Sequence, residues 1–383
     1  MHILLVSDVY LPTVSGVATS TDSIARYMAG KGHHVTVVCP KPLIPYTPRL
    51  VPGMELLFTP GVTDSLVVNK SMTVFPLGFG VLWRAFRHKR IDIVHIQEPG
   101  SLGVTALFLA KLFRKPTVGA EHFSWSQIEK LAPPAIRWIS VPFMKLYVRV
   151  LYAFYDAIMV PTKTAASELG LIMGRSHNIY PISNGVDTTE YAPRKGSYTA
   201  LRRKYKLPVD RVIFLYIGRL DRDKNIETII RAAKGVKIPI HLIIAGVGKQ
   251  REELMGLSRS LGMKNITWIG EVHKKEIINL YQLADAFVIM SPVETQSIVA
   301  LQAISCGLPL IAANSGALPE LVNGKNGRLI DTYDVTGLIH TFEYFAAHPK
   351  ELINMGMESR TASLAHHKPV VLTLLETLYK KLI

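Results

Sequence analysis

Glu294 follows an apolar run, Phe287 to Met290, and leads into SPVETQSIVALQAISCGLPLIAAN, residues 291–314. Its middle, Ser297 to Cys306, predicts one short helix, with Gly307 at a C-cap position and Pro309 blocking continuation. Phe287 to Met290 and Leu310 to Ala313 flank the helix as buried strands. A carboxylate in the loop leaving a parallel strand faces the crevice where open sheets bind ligands. The N–H groups of Ser297, Ile298 and Val299 at the helix start suit an anion. Gln302 can hydrogen-bond a hydroxyl without bringing charge; by type alone it reads first as an ordinary polar helix residue.

A second group lies upstream in Gly218-Arg219-Leu220-Asp221-Arg222-Asp223-Lys224-Asn225, between a predicted strand, Val212 to Ile217, and a predicted helix, Ile226 to Lys234. Gly218 lets backbone approach a ligand closely. A forked guanidinium and an ammonium at one strand end suit a diphosphate, although paired cations are common in exposed loops. His241 to Gly248 is a strand running into a glycine loop at Gly246, without the third glycine of a dinucleotide fingerprint. Another strand, Ile266 to Ile269, precedes Gly270 and Val272, and Leu280 to Asp285 reads as a helix.

The first half repeats this grammar. A strand, Met1 to Ser7, passes through the loop Asp8 to Gly16 into a helix, Ser20 to Gly30, and a strand, His34 to Cys39, giving a βαβ opening. Glu55 to Pro76 has no clear period. A strand, Ile91 to Ile96, ends at Gln97-Glu-Pro-Gly. After a helix, Gly103 to Phe113, the strand Pro116 to Ala120 delivers His122 to its C-terminal end, either facing a crevice or satisfied in a loop. Ala157 to Pro161 is a further strand, and Thr164 to Leu169 opens a helix. From Phe342 onward helices dominate.

These residues resemble the signature of the retaining GT-B glycosyltransferases of family 4, usually a Glu, seven residues, then a second Glu. Glu294 holds the first place and Gln302 the second. The Glu-Thr-Gln opening resembles the lipid-glycosylating subgroup of diacylglycerol glucosyltransferases and phosphatidylinositol mannosyltransferases. The resemblance implies an α/β fold of two Rossmann-like domains with parallel sheets facing across a cleft. They would span residues 1–190 and 198–367, with a linker at 188–197 and a last helix, about 368–383, packing back on the first. Glu294 would contact hydroxyls of the donor sugar, Gln302 the ribose, and Gly218, Arg219 and Lys224 the diphosphate. Gly16 would lie beside the donor phosphates and Gly270 and Val272 under the base. Gly246 and the N–H groups of Ser297, Ile298 and Val299 complete the donor set, and His122 lines the reaction centre. The catalytic set is therefore His122, Glu294, Arg219 and Lys224.

The implied reaction moves glucose or mannose from a UDP- or GDP-sugar, with retention, to an acceptor hydroxyl of a membrane lipid such as diacylglycerol or a glycolipid. The leaving diphosphate would serve as base, so neither cofactor nor metal is expected. A soluble sugar or small-molecule acceptor, or a nucleotide-sugar epimerase of the same fold, are the alternatives.

Composition sets bounds on both readings. The 383 residues favour two domains. A net charge of +15 favours anionic partners, and no nucleic-acid recognition module is visible. The two cysteines, Cys39 and Cys306, lie in apolar contexts, fitting a reducing cytosol. The N-terminus reads as a first strand rather than a signal peptide, and no run is a convincing membrane span. Between Glu129 and Asp156 no acid occurs, while Lys130, Arg137, Lys145 and Arg149 interleave with Trp138, Phe143, Tyr147, Tyr152 and Phe154. Such a helix either lies in an anionic membrane interface or is a core helix with a solvated basic edge. Trp83 to Arg90 repeats the chemistry. The expected location is the cytoplasm, peripheral on the cytosolic face of the membrane.

Overall fold

In the computed structural model, strand β1 (His2–Val6) is covered on both faces. Leu4 and Val6 enter one apolar layer with Val94, Ile96 and Leu109, while Ile3 and Leu5 enter another with Val35, Val37 and Ile93. Successive side chains alternate across the sheet, so a strand buried on both sides must be a continuous apolar run. The structure describes residues 1–13, 15–63, 71–72, 77–123, 134–174, 178–194 and 196–383.

The chain divides into two compact units, Met1–Ser183 with Val371–Ile383, and Asn184–Val370. In the first unit β1 is followed by α1 (Gly16–Gly30), β2 (His34–Pro40), β3 (Met54–Thr59), α2 (Phe79–His88), β4 (Ile93–Ile96), α3 (Ser101–Leu112), β5 (Thr117–Ala120), α4 (Arg137–Tyr152), β6 (Ala157–Val160), α5 (Lys163–Met173) and β7 (Ile179–Pro181). The strands form a parallel sheet of order β3-β2-β1-β4-β5-β6-β7. Helix α1 begins at Gly16 rather than Ser20 because the Ser15 side chain accepts the N–H of Ala18 and caps it. The stretch from Glu55 to Pro76 contains most of β3 and a short antiparallel ladder, Val62–Thr63 with Ser71–Met72; its remainder, from 64 to 70 and from 73 to 76, lies outside the described residues.

The second unit runs α6 (Thr199–Lys204), β8 (Val212–Ile217), α7 (Ile226–Gly235), β9 (Ile240–Ala245), α8 (Arg251–Ser260), β10 (Ile266–Ile269), α9 (Lys274–Leu283), β11 (Ala286–Ile289), α10 (Ile298–Ser305), β12 (Leu310–Ala313), β13 (Gly327–Ile330), α11 (Val335–Ala347) and α12 (Pro349–Leu364). Its sheet has the order β10-β9-β8-β11-β12-β13 and is also parallel. In both sheets the winding reverses beside the first strand, between β1 and β4 and between β8 and β11. That reversal opens a crevice at the strands' C-terminal ends.

Further boundaries depart from the sequence expectation. Helix α9 starts at Lys274, not Leu280, because His273 and Glu276 cap it reciprocally. It stops before Asp285, whose carboxylate accepts the Ile213 N–H at 2.7 Å and pairs with the buried Arg202 at 2.6 Å. The first unit ends at Ser183 rather than near 190, and the second spans Asn184–Val370 rather than 198–367. The physical reason is packing within the second unit: Tyr191 sits in its core, Thr188 is buried, and Gln282 donates to the Ala192 carbonyl. Helix α13 (Lys368–Leu382) places Leu375, Leu378 and Tyr379 in the layer formed by Ile3 and Leu5.

Candidate active site

Strand β8 hands the chain to Gly218 and a loop ending at Asn225, which enters α7 from a left-handed conformation with φ +49°. The Asn225 amide donates to the carbonyls of Met290 at 3.2 Å and Thr332 at 2.6 Å, and Ser291 Oγ donates to the Asp223 carbonyl at 2.9 Å. The loops leaving β8 and β11 are therefore stitched together at the reversal of the sheet. Across that seam Lys224 Nζ donates to Glu294 Oε1 at 2.8 Å, with the Asp223 carboxylate 3.4 Å away. The Lys224 and Glu294 side chains are only 15% and 12% exposed. Arg219 is 62% exposed, and its guanidinium spans the carboxylates of Asp221 and Asp223, the latter at 3.1 Å.

Two glycines allow this closeness. Gly246 has φ +139°, and a Cβ there would strike the Gly218 carbonyl. Gly316 has φ +57°, and a Cβ would lie 2.9 Å from the Glu294 backbone N and O. Side chains rarely adopt either conformation. Ala317 N–H donates to the Glu294 carbonyl at 2.9 Å, so the loop bearing the carboxylate is held from behind. The Gly246 N–H also meets the Gly270 carbonyl at 3.1 Å, bringing the end of β10 beside the end of β9. Val272 packs against the core of this unit.

Helix α10 starts at this seam. Ser297 is buried and caps it through a 3.3 Å contact from the Ala300 N–H, leaving the Ile298 and Val299 amides in the first turn. Gln302, one turn on, is half-buried. Its Oε1 accepts from Tyr281 Oη at 3.1 Å. Burial holds the Tyr281 hydroxyl well above its ordinary pKa. Gln302 therefore has a tyrosine partner from α9, which spacing along one helix cannot reveal.

The first unit gathers different chemistry at the ends of β4 and β5. His122 Nε2 lies 3.0 Å from Gln97 Oε1, Gln97 Nε2 lies 3.0 Å from His95 Nε2, and His95 Nδ1 meets the Tyr379 hydroxyl at 2.5 Å. Burial pushes the His122 pKa down to about 4 and, with His122 adding to the effect, His95 to about 3. Both imidazoles are neutral at pH 7. Gly16 stands at the first position of α1, with open space where a side chain would begin. Gln97, His95 and Tyr379 were not singled out by sequence reasoning. The one signal available was two polar residues two apart, His95 and Gln97, in and just after a strand otherwise wholly apolar.

Helix α4 resolves the choice between membrane face and core helix in favour of an outward apolar face. Trp138 is 75% and Phe143 69% exposed, and Ile139, Leu146, Val150 and Phe154 are exposed with them. Within the helix only Val148, Leu151 and Tyr152 are buried. Arg137 and Arg149 are exposed on the same element, and Tyr147 Oη donates to the Pro99 carbonyl at 3.1 Å. Glu129 and Lys130 lie outside the described residues. Among the described residues no helix is long and apolar enough to cross a membrane.

Two family models match the chain: Glycosyltransferase Family 4 over residues 14–190 and Glycosyl transferases group 1 over residues 197–361. The alpha-monoglucosyldiacylglycerol synthase of Acholeplasma laidlawii is 26% identical over 405 aligned residues, covering 100% of this chain and 98% of the relative. The GDP-mannose-dependent alpha-mannosyltransferase of Mycolicibacterium smegmatis is 26% identical, covering 97% and 95%. Among solved structures, sucrose-phosphate synthase from Thermosynechococcus elongatus superposes with a TM-score of 0.79 at 19% identity, covering 100% of this chain and 98% of that one. This last likeness speaks to the fold.

Proposed function

We propose that this chain, which belongs to the group 1/family 4 glycosyltransferases, moves a hexose from a nucleotide diphosphate sugar to a lipid hydroxyl at an anionic membrane surface. The observation that carries the reading is the Lys224–Glu294 contact at the sheet reversal, beside Arg219 and the start of α10. It sets a cation for a diphosphate next to a carboxylate for sugar hydroxyls, the juxtaposition a sugar diphosphate requires.

In the proposed reaction the bond between the anomeric carbon and the diphosphate oxygen breaks as the bond to the acceptor oxygen forms on the same face. The acceptor proton passes to the leaving diphosphate. Arg219, Lys224 and the first-turn amides of α10 stabilise the charge that develops there. Glu294 orients the sugar through its hydroxyls, Gln302 reaches toward the ribose, and the backbone at Gly270 and Val272 supports the base. His122 lines the sugar, and Gly16 lets the donor phosphates approach α1. Charge stabilisation falls to protein groups, so the reading calls on no metal.

The sugar is glucose or mannose in this reading, supported by the names of the two relatives. The lipid acceptor and a peripheral place on the cytosolic membrane face are supported by the exposed apolar face of α4 with its cations. The direct experiment incubates the protein with radiolabelled UDP-glucose or GDP-mannose and vesicles containing diacylglycerol and an anionic lipid. Label should enter the lipid phase, and transfer should persist with EDTA. Label moving only to soluble sugars would remove the lipid acceptor; conversion of donor alone into its epimer would replace transfer with epimerisation.

A further inference from the structure

The row of side chains leading inward from His122 has a definite polarity. An amide offers an oxygen that accepts and a nitrogen that donates. Gln97 Oε1 faces His122 Nε2, so that nitrogen carries the proton. Gln97 Nε2 faces His95 Nε2, so that nitrogen is bare. The His95 proton therefore sits on Nδ1 and is donated to the Tyr379 oxygen. His95, Gln97 and Tyr379 are each 0% exposed, so no water competes for these bonds. With Nε2 protonated, the bare nitrogen of His122 is Nδ1.

We propose that Gln97, His95 and Tyr379 are positioning residues that fix His122 as its Nε2–H tautomer and hold Nδ1 as a hydrogen-bond acceptor for a sugar hydroxyl. Helix α13 thereby acts on the reaction centre through two intermediaries. The proposal rests on His122 lining the sugar, as in the function proposed above. Side chains two apart on a strand share a face, so β4 and its immediate extension present His95 and Gln97 in line, and the polar row crosses the apolar layer only because each member is paired. A histidine in the other tautomer would offer N–H where the hydroxyl needs an acceptor.

The test uses the full chain with 15N-labelled histidine. Long-range 1H–15N correlation spectra should show His122 as Nε2–H and His95 as Nδ1–H. Tyr379→Phe removes the terminal acceptor while keeping the ring. It should turn His122 into a tautomer mixture and lower kcat about 10-fold, with KM for the nucleotide sugar within about two-fold. Should that variant unfold, Gln97→Leu is read in the same two ways. A wild-type His122 seen as Nδ1–H overturns the proposal, and so does a folded Tyr379→Phe with unchanged tautomers and kcat. Failure of the functional reading looks different: the wild-type tautomers are as stated, yet no nucleotide sugar is turned over.

Discussion

The two crevices of this molecule share a strand order and differ in how they treat charge. At the β8/β11 reversal cations pair with carboxylates, with Arg219 open to solvent and Lys224 and Glu294 held against each other largely out of it. Around β4 and β5 the side chains are neutral, with burial keeping the fully enclosed His95 and the half-buried His122 uncharged. A site for a doubly charged leaving group needs cations, and here each stands against carboxylates that hold it in place. A site that aligns hydroxyls needs lone pairs in fixed places, and a buried polar row supplies them. One topology supports both because it fixes only where the loops emerge.

The largest effect that would break this comparison is Lys224→Ala. Transfer should fall by about 100-fold or more through lost stabilisation of the developing charge. The pairing with Glu294 adds a stability cost, on the order of 1 kcal/mol, because a largely buried carboxylate loses its partner. Arg219→Ala should lower activity comparably and leave the melting temperature unchanged, since its exposed ion pairs contribute little. Initial rates and thermal melts separate the two, and near-normal turnover in both would remove the phosphate assignment.

Glu294→Gln comes next. It should cripple transfer while leaving nucleotide diphosphate affinity, measured by calorimetry, largely unchanged. A matching loss of diphosphate affinity would move Glu294 from the sugar to the phosphates. On the α4 face, changing Arg137, Lys145 and Arg149 together to Glu should abolish co-sedimentation with anionic vesicles at low salt. Each cation near such a surface contributes about 1 kcal/mol. The wild type should sediment less at high salt but not cease to, because the exposed aromatics bind independently of charge.

The histidine row sets a pH effect of its own. Folded His122 binds a proton only near pH 4 and His95 near 3, whereas the unfolded chain binds both near 6.5. The folded state thus holds fewer protons, and its stability is full above pH 6.5 and declines as pH falls toward 4. His241, lowered to about 4 by burial and the nearby Arg211 and Arg202, adds to the decline from the second unit. Melting curves across pH 4 to 7 should show it, and His122→Gln should flatten it. The smallest effect is expected of Gln302→Glu: if the position faces the ribose, donor affinity should tighten by a few-fold. A loss would instead show that the bond from Tyr281 governs this residue.

Much of the ionic crevice was legible because its parts are local. The bounds of β8 and β12 could be read from unbroken apolar runs, and α10 from Gly307 and Pro309. The start of α9 was not, since its polar first turn carries the cap in the side chains of His273 and Glu276 rather than in an apolar stripe. Nor was the pairing of Lys224 with Glu294, which depends on β8 and β11 lying side by side. The histidine row was the least legible: its far end, Tyr379, is 284 residues from His95.

Helix α13 has one more consequence, for the order in which the protein is made. The first unit begins with residue 1 but lacks Leu375 and Tyr379, part of the cover for Ile3 and Leu5, until its last thirteen residues, Val371–Ile383, are in place. Every residue of the second unit leaves the ribosome before the first unit is whole. Until then that face of the earlier-made sheet is covered by α1 alone, through Ile24, Ala25 and Met28, while the later-made sheet already has all its strands.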